Sequence, residues 1–284
     1  MNIDFGHDQQ GQSMGAWNQK APRIVSVVSG KGGVGKTFLS TSLGLVAAGL
    51  GKRVLLIDGD LSLANVDVAM GLKVRHHLGD VLAGTVTLHE AVVHGPQGLS
   101  VLPASAGVAE LAQMDATQQR HILEVLRPAL SAYDLVVIDC GAGVGDGVVF
   151  FARAAHESLV VLTPEPTALA DAYATIKVLA KNASVDNIGV MVNQANEYVA
   201  RDVFRRLSSV VGRFLPTVLH YQGSVPLDDN VRTSVLERRP LLQARADTAA
   251  ARAATMVAKS WLLSTPDARV GLLGAAFDSQ QVLR

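Results

Sequence analysis

A single α/β domain, built on a mainly parallel twisted sheet with helices on both faces, is predicted for this 284-residue chain. Three observations predict it. Short apolar runs alternate with longer stretches of helical periodicity, the pattern that stacks parallel strands under crossover helices. Several of those runs, such as Val54-Leu55-Leu56-Ile57 and Leu135-Val136-Val137-Ile138, are apolar at every position, as strands covered on both faces must be. Two of them end in aspartate and another runs into a glycine-rich loop, so polar chemistry gathers where the strands stop.

Residues 1–22 are polar, with Gln9, Gln10 and Gln12 beside Gly11 and Gly15, and are expected to form a flexible tail. From 23 to 264 the chain reads as one unit, because neither an internal repeat nor a long linker divides it. The first strand is expected over 24–29, where Ile24-Val25-Ser26-Val27-Val28 is β-branched, and the first helix over 37–50. A strand at 53–58 is followed by short helices at 64–70, 77–83 and 87–93. Strand 99–102, helix 116–131, strand 134–139, helix 146–155, strand 157–163 and helix 168–182 continue the alternation. Strand 188–193, helix 197–212, strand 217–225 and helices 228–237 and 247–263 complete it. Residues 265–284 form a separate C-terminal segment, with Val270, Leu273 and Phe277 at the spacing of an amphipathic helix.

Composition removes several classes of function. With 25 basic and 25 acidic residues there is no global field to favour nucleic acid or a membrane as main partner. The single cysteine, Cys140, excludes a disulfide framework and fits a reducing cytoplasm. It also leaves no ligand set for an iron–sulfur cluster. No basic-plus-apolar leader and no apolar run of about 18 residues appears, so a soluble protein is expected.

The most informative stretch is Gly30-Lys31-Gly32-Gly33-Val34-Gly35-Lys36-Thr37, a full match to G-x-x-x-x-G-K-[ST] between a strand and a helix. Glycines let the backbone approach phosphate oxygens, and the N–H groups at the helix start converge on an anion. Lys36 is placed to reach the β- and γ-phosphates, and the Thr37 hydroxyl to ligate Mg²⁺. The expected ligand is a nucleoside triphosphate, touched by Gly30 to Thr37 and by Phe38, and the fold is a P-loop NTPase domain.

Asp58 and Asp60 stand at the end of the second strand, where a carboxylate can orient the water that attacks a γ-phosphate. The same pair could instead cap the next helix. Asp139 ends the strand 134–139 and is expected to hold Mg²⁺ through a water. Gly141 and Gly143 behind it allow that loop to rearrange. Further along, Asn193 ends a strand with an amide able to pair with a purine edge. Asn196 stands where a guanine reader needs an acid, which favours ATP over GTP.

Lys31, directly after the first glycine, is an addition that an ordinary P-loop does not need. The K-G-G-V-G-K-T form resembles the deviant Walker A loop of the MinD/ParA family of ATPases. The stretch Asp58-Gly59-Asp60 with Asn65 five residues beyond Asp60 resembles that family's switch I. The resemblance covers about residues 23–262. It implies that Lys31, Lys36 and Asp60 act in ATP hydrolysis, Lys31 by contacting nucleotide across a dimer interface and Asp60 by positioning water. It implies Thr37, Asp60 and Asp139 around the metal, Asn65 near the dimer-facing side, Asn193 on adenine, and Pro226 in the segment Val225-Pro226-Leu227-Asp228 closing over the base. ATP and Mg²⁺ are the cofactors so implied, and an ATP-dependent homodimer the functional form.

Within that family the chain is most similar to the flagellar-number regulators of the FlhG/FleN type. Ala64-Asn65-Val66-Asp67-Val68-Ala69-Met70-Gly71-Leu72 and Thr163-Pro164-Glu165-Pro166-Thr167-Ala168-Leu169-Ala170-Asp171-Ala172-Tyr173 carry this similarity. It implies a flagellar transcriptional activator, an FlhF-type GTPase or switch-complex proteins as partners, and a cytoplasmic location with peripheral association at the inner membrane or a cell pole left open. The alternative is a ParA-like ATPase that partitions DNA or another cargo, although its usual D-x-D-P-Q is not matched by Asp60-Leu61-Ser62. Three departures stand out. Cys140 occupies a position where the family more often has Thr. Asp8-Gln9-Gln10 begins like a GTPase-stimulating tail motif but lacks its Leu-Arg. The C-terminal segment has only Arg269 and Arg284 as cations, too few for more than marginal lipid affinity. His76-His77 reads as a solvated helix start, and Arg201, Arg205, Arg206 and Arg213 as a charged exterior, so no sequence-specific nucleic-acid binding is expected.

Overall fold

The computed structural model describes residues 22–61, 64–104, 115–182, 185 and 187–264. The expectations placed on 1–21 and 265–284 lie outside them. The strands are β1 (Arg23–Ser29), β2 (Val54–Gly59), β3 (Val93–His94), β4 (Ser100–Leu102), β5 (Leu135–Ala142), β6 (Glu157–Leu162), β7 (Ile188–Asn193) and β8 (Leu219–Val225). The helices are α1 (Lys36–Gly49), α2 (Val66–Met70), α3 (Leu78–Leu82), α4 (Leu88–Ala91), α5 (Ala116–Leu130), α6 (Asp146–Ala154), α7 (Pro166–Asn182), α8 (Glu197–Phe214), α9 (Asp229–Leu236), α10 (Leu241–Ala244) and α11 (Ala249–Leu263). Among the described residues they build one eight-stranded sheet in the order β3-β4-β2-β5-β1-β6-β7-β8. Every neighbouring pair is parallel except β3 with β4.

Strict alternation along the central strands divides the core into two layers. Ile24, Leu55, Ile57, Val136 and Ile138 face a layer that includes α5, α6, α7 and α8. Val25, Val27, Leu56, Leu135 and Val137 face the other, closed by α1, α2 and α11. Both layers are apolar, which is why these strands carry no polar alternation in sequence. β1 and β5 lie side by side, yet β1 feeds α1 on one face and β5 feeds α6 on the other. Loops that leave adjacent strands in opposite directions open a crevice at the strand C-termini, and the P-loop lies there.

Element ends shift by up to three residues, β5 running to Ala142 and α7 beginning at Pro166, and three differences stand out. The helix expected over 87–93 stops at Ala91, and Val93–His94 pairs antiparallel with β4. A tight turn makes this possible: Gln97 and Gly98 both have positive φ, and Gly95 N–H donates to the Leu99 carbonyl at 2.7 Å. The helix expected from residue 64 begins at Val66, because a buried carboxylate pins the backbone just before it, as described below. The short helix α10 was not expected; its Leu241 is buried in the α1–α11 layer.

At the opposite end of β1 from the P-loop, a buried ion pair fastens the last helix. Arg23 meets Glu157 through two guanidinium nitrogens (Nε–Oε1 2.6 Å, Nη2–Oε2 3.2 Å), and its third, Nη1, donates to the carbonyls of Trp261 and Ser264. The Trp261 indole donates to Glu157, and the guanidinium stacks 3.6 Å from the indole centroid. Among the described residues no helix is long and apolar enough to cross a membrane.

Candidate functional site

The P-loop is shaped by two glycines and two close approaches. Gly33 and Gly35 adopt φ of 79° and 95°, a region where an L side chain is strained. A Cβ at Gly30 would come within 2.3 Å of the Asp171 carbonyl oxygen on α7, so α7 needs glycine there. A Cβ at Gly35 would come within 2.2 Å of the Asn193 amide nitrogen. Gly35 caps α1 without any side-chain hydrogen bond, which leaves the first N–H groups of a 14-residue helix to an external anion. Gly32 has open space where a Cβ would stand, Val34 is buried, and Phe38 packs against the α1–α11 layer. Lys36 begins α1 and is mostly buried.

The Thr37 hydroxyl donates to Asp139 Oδ2 at 2.7 Å, and the Ser40 hydroxyl donates to Oδ1 at 2.9 Å. Asp139, 2% exposed, is therefore gripped through both oxygens by the first turns of α1. Burial pushes its carboxyl above the ordinary range, against those two hydroxyls and the Lys36 charge. Asn65 Oδ1 lies 3.1 Å from Thr37 Oγ1 as a second acceptor for that hydroxyl. Asp60 sits over Gly141, where a Cβ would come 3.4 Å from its Oδ1, so the ends of β2 and β5 face each other. Gly143 N–H donates to the Ser29 carbonyl at 2.8 Å, which ties the loop after β5 to the strand that leads into the P-loop.

Asp58 does what the capping reading required. Wholly buried, it accepts the N–H of Asp60 (3.1 Å) on one oxygen and those of Asn65 (2.9 Å) and Val66 (3.1 Å) on the other. Burial pushes its carboxyl up to about 7, with the Val66 N–H opposing and the Asp139 charge adding to the rise. One side chain thus closes the loop from β2 to α2 at both ends.

Thr37, Asp60 and Asp139 offer only oxygen donors, the hard set that suits Mg²⁺. Among the described residues no group of three or more acidic, histidine or cysteine side chains could hold a metal ion. What the structure supplies is the Thr37–Asp139 pair with Asp60 across from it, beside the Lys36 charge, a set that suits an ion held by few protein oxygens together with phosphate. The residues fit the ion on those terms.

Asn193 spends its amide nitrogen on the P-loop, donating to the Val34 carbonyl at 2.8 Å. That bond uses one amide hydrogen, so the second N–H and the oxygen remain for other partners. Pro226 follows Val225, whose carbonyl accepts the Ala195 N–H at 3.0 Å, so the ends of β7 and β8 stand together beside the loop. Asp228 is turned towards α9 and α11, accepting from Asn230 and Ala250, and these N–H groups hold its carboxyl below the usual range.

Lys31 projects from the rim and pairs with Glu165 at 3.1 Å, both about half exposed. Thr163 also donates to Glu165, and the Lys31 bond holds that carboxyl low. Cys140 packs into the layer beneath α6, and burial pushes its thiol up. His77 precedes α3, where its N–H donates to Asp80. Arg201 pairs with Glu197, and Arg205 and Arg206 with Asp202, along the exposed side of α8.

Sequence reasoning missed Ser40, Glu165 and the Asn193 brace. Ser40 lies one helical turn beyond Thr37, a spacing that puts both hydroxyls on one face; this was the available signal. Nothing local in sequence joins Glu165 to Lys31 or Asn193 to Val34.

Comparison with known proteins agrees with this geometry. A family profile described as an AAA domain matches residues 22–188. The antiactivator FleN of Pseudomonas aeruginosa is 38% identical over 245 residues, covering 85% of this chain and 88% of FleN. The flagellum site-determining protein YlxH of Helicobacter pylori is 32% identical, covering 79% of this chain and 76% of YlxH. The septum site-determining protein MinD of Pyrococcus horikoshii, solved in complex with Mg-ADP, superposes with a TM-score of 0.68 at 27% identity, covering 84% of this chain and 96% of that one. The chain belongs to the MinD/ParA family of P-loop ATPases.

Proposed function

We propose that this protein is an ATP-operated dimerising switch with slow hydrolysis, which sets flagellar number, placement or synthesis through partner proteins. The observation that carries it is the juxtaposition at one rim of a complete phosphate loop, a hydroxyl–carboxylate pair for Mg²⁺, and an exposed lysine outside the loop's own needs. ATP is taken by the N–H groups of residues 30–37 and by Lys36, and the base lies against the Asn193 oxygen and the Pro226 segment. When bound, Mg²⁺ neutralises charge on the β- and γ-phosphate oxygens. Thr37 and Asp139 hold its side of the site, and Asp60 orients the attacking water. Lys31 leaves Glu165 and reaches the partner protomer's phosphates. Two lysines brought face to face repel, so the γ-phosphate between them is what makes the dimer stable. After hydrolysis the loops around 58–67 and 139–147 relax and the protomers separate.

The division of the chain into a tail (1–22), an ATPase domain (23–264) and a C-terminal segment (265–284) belongs to the same reading. The names of the two relatives, an antiactivator and a flagellum site-determining protein, support a flagellar regulatory role, and the partners proposed for it are a flagellar transcriptional activator, an FlhF-type GTPase or switch-complex proteins. Light scattering coupled to size exclusion tests the core of the proposal. Monomer is expected with ADP, partial dimer with ATP, and trapped dimer with ATP and Asp60→Ala. Equal self-association in all three would refute it.

A further inference from the structure

The turn from β7 to α8 is held at nearly every residue. Asn193 Nδ2 donates to the Val34 carbonyl at 2.8 Å, and the Ala195 N–H donates to the Val225 carbonyl at 3.0 Å. Asn196 caps α8, accepting the Val199 N–H at 3.0 Å. Glu197 then reaches across to β8. One of its oxygens, Oε2, accepts both the Tyr221 hydroxyl at 2.8 Å and the Ser224 hydroxyl at 2.9 Å. The other takes Arg201 at 2.7 Å, whose guanidinium stands 5.0 Å from the Tyr221 ring centroid. Burial and the Glu197 carboxylate push the Tyr221 phenol up to about 12, so it stays a donor at neutral pH. Between these ties lies Gln194, with φ of 58°, a left-handed conformation unfavourable for any residue with a Cβ. Such a residue persists only where its neighbours over-determine the backbone. The left-handed step lets the Asn193 side chain reach the P-loop while the N–H two residues on reaches β8.

We propose that Glu197 is a positioning residue for base recognition, its grip on Tyr221 and Ser224 fixing the gap between the β7 end, which carries Asn193, and the β8 end, which leads into Pro226. The strand pairing ends at Asn193 and Val225, where the two walls of the base site begin. Beyond that point the walls are joined through the Ala195 N–H and the Glu197 carboxylate. Phosphate binding is left to the P-loop and α1. This role rests on the base site proposed above and separates base from phosphate: losing Glu197 should be felt by a nucleotide and not by a bare phosphate chain.

Isothermal calorimetry in the presence of Mg²⁺ tests it, comparing ADP, GDP and inorganic pyrophosphate on wild type and Glu197→Ala. ADP affinity should fall about tenfold, the order of one hydrogen bond to a charged group. Pyrophosphate affinity should stay within about twofold, and the preference for ADP over GDP should narrow. Tyr221→Phe and Ser224→Ala each remove one of the two bonds and should each cost ADP about threefold. Glu197→Gln keeps an oxygen for both hydroxyls and should restore most of the affinity. Unchanged ADP binding by Glu197→Ala overturns the proposal. So does an equal loss of ADP and pyrophosphate, which would mark the carboxylate as a brace for the fold at large. A wild type that holds ADP no more tightly than pyrophosphate would instead sink the base site, and this inference with it.

Discussion

Replacing Ser40 by Ala isolates one buried contact at the centre of the site. Ser40 is fully buried and donates at 2.9 Å to Asp139, itself 2% exposed. A hydrogen bond to a charged, buried acceptor contributes about 1.5–3 kcal/mol. Alanine is the better helix former by about 0.5 kcal/mol, which offsets part of the loss. The net destabilisation is then about 1–2.5 kcal/mol, or roughly 2–10 °C in melting temperature for a domain of this size. Losing the donor also raises the Asp139 carboxyl further above its ordinary range, which disfavours the ionised form a cation needs. Metal affinity should fall about tenfold, as it does when an outer-shell partner is removed. Thermal denaturation and Mg²⁺-dependence of fluorescent ADP binding measure the two effects, and Ser40→Thr should restore both. A Ser40→Ala protein with unchanged melting and unchanged metal dependence would show that Asp139 is held by Thr37 alone.

Other substitutions test separate parts of the molecule. Lys31→Ala should abolish the ATP-dependent dimer in light scattering while leaving monomer nucleotide affinity within about twofold, and loss of both would place Lys31 within its own site. Asn193→Asp keeps the shape but cannot donate to Val34; ATP binding should weaken about tenfold by calorimetry, with the loss felt by triphosphate and diphosphate alike. Glu157→Ala removes the carboxylate that balances the buried Arg23 charge, leaving it only the Trp261 and Ser264 carbonyls, and should cost about 3–5 kcal/mol in urea denaturation. Arg23→Met with Glu157→Leu should recover much of that loss, since a buried pair adds little net stability over apolar packing. Binding of ATP-loaded protein to DNA should be weak and without a steep salt slope in filter assays; a steep slope would favour cargo partitioning instead.

Much of the fold was legible because its signals are local. Val54–Ile57 and Leu135–Ile138 are apolar at every position, and only strands buried on both faces tolerate that. The phosphate loop was legible for the same reason: eight consecutive residues carry it. What escaped notice depends on contacts distant in sequence. Asn193 and Val34 are separated by 159 residues, and Lys31 and Glu165 by 134. The fate of the Asp58–Asp60 pair was undecidable from spacing, since one carboxylate caps α2 and the other faces Gly141, and burial chooses between them. The two-residue strand β3 failed to register because it owes its existence to the open edge of β4, not to its own composition.

The Lys31–Glu165 pair bears on where the switching energy comes from. Both side chains are about half exposed, and an ion pair so placed contributes on the order of 0–1 kcal/mol. Such a contact can aim a long side chain but cannot lock it. If Lys31 acts across a dimer, leaving Glu165 therefore presents almost no barrier, and the pair cannot be what keeps protomers apart without a γ-phosphate. The discrimination must lie in the repulsion of opposed cations and its relief by the triphosphate. Glu165→Gln should accordingly leave the ATP requirement for dimerisation intact, shifting its midpoint by no more than about fivefold. A Glu165→Gln protein that dimerised with ADP would move the gate from the phosphate to this carboxylate.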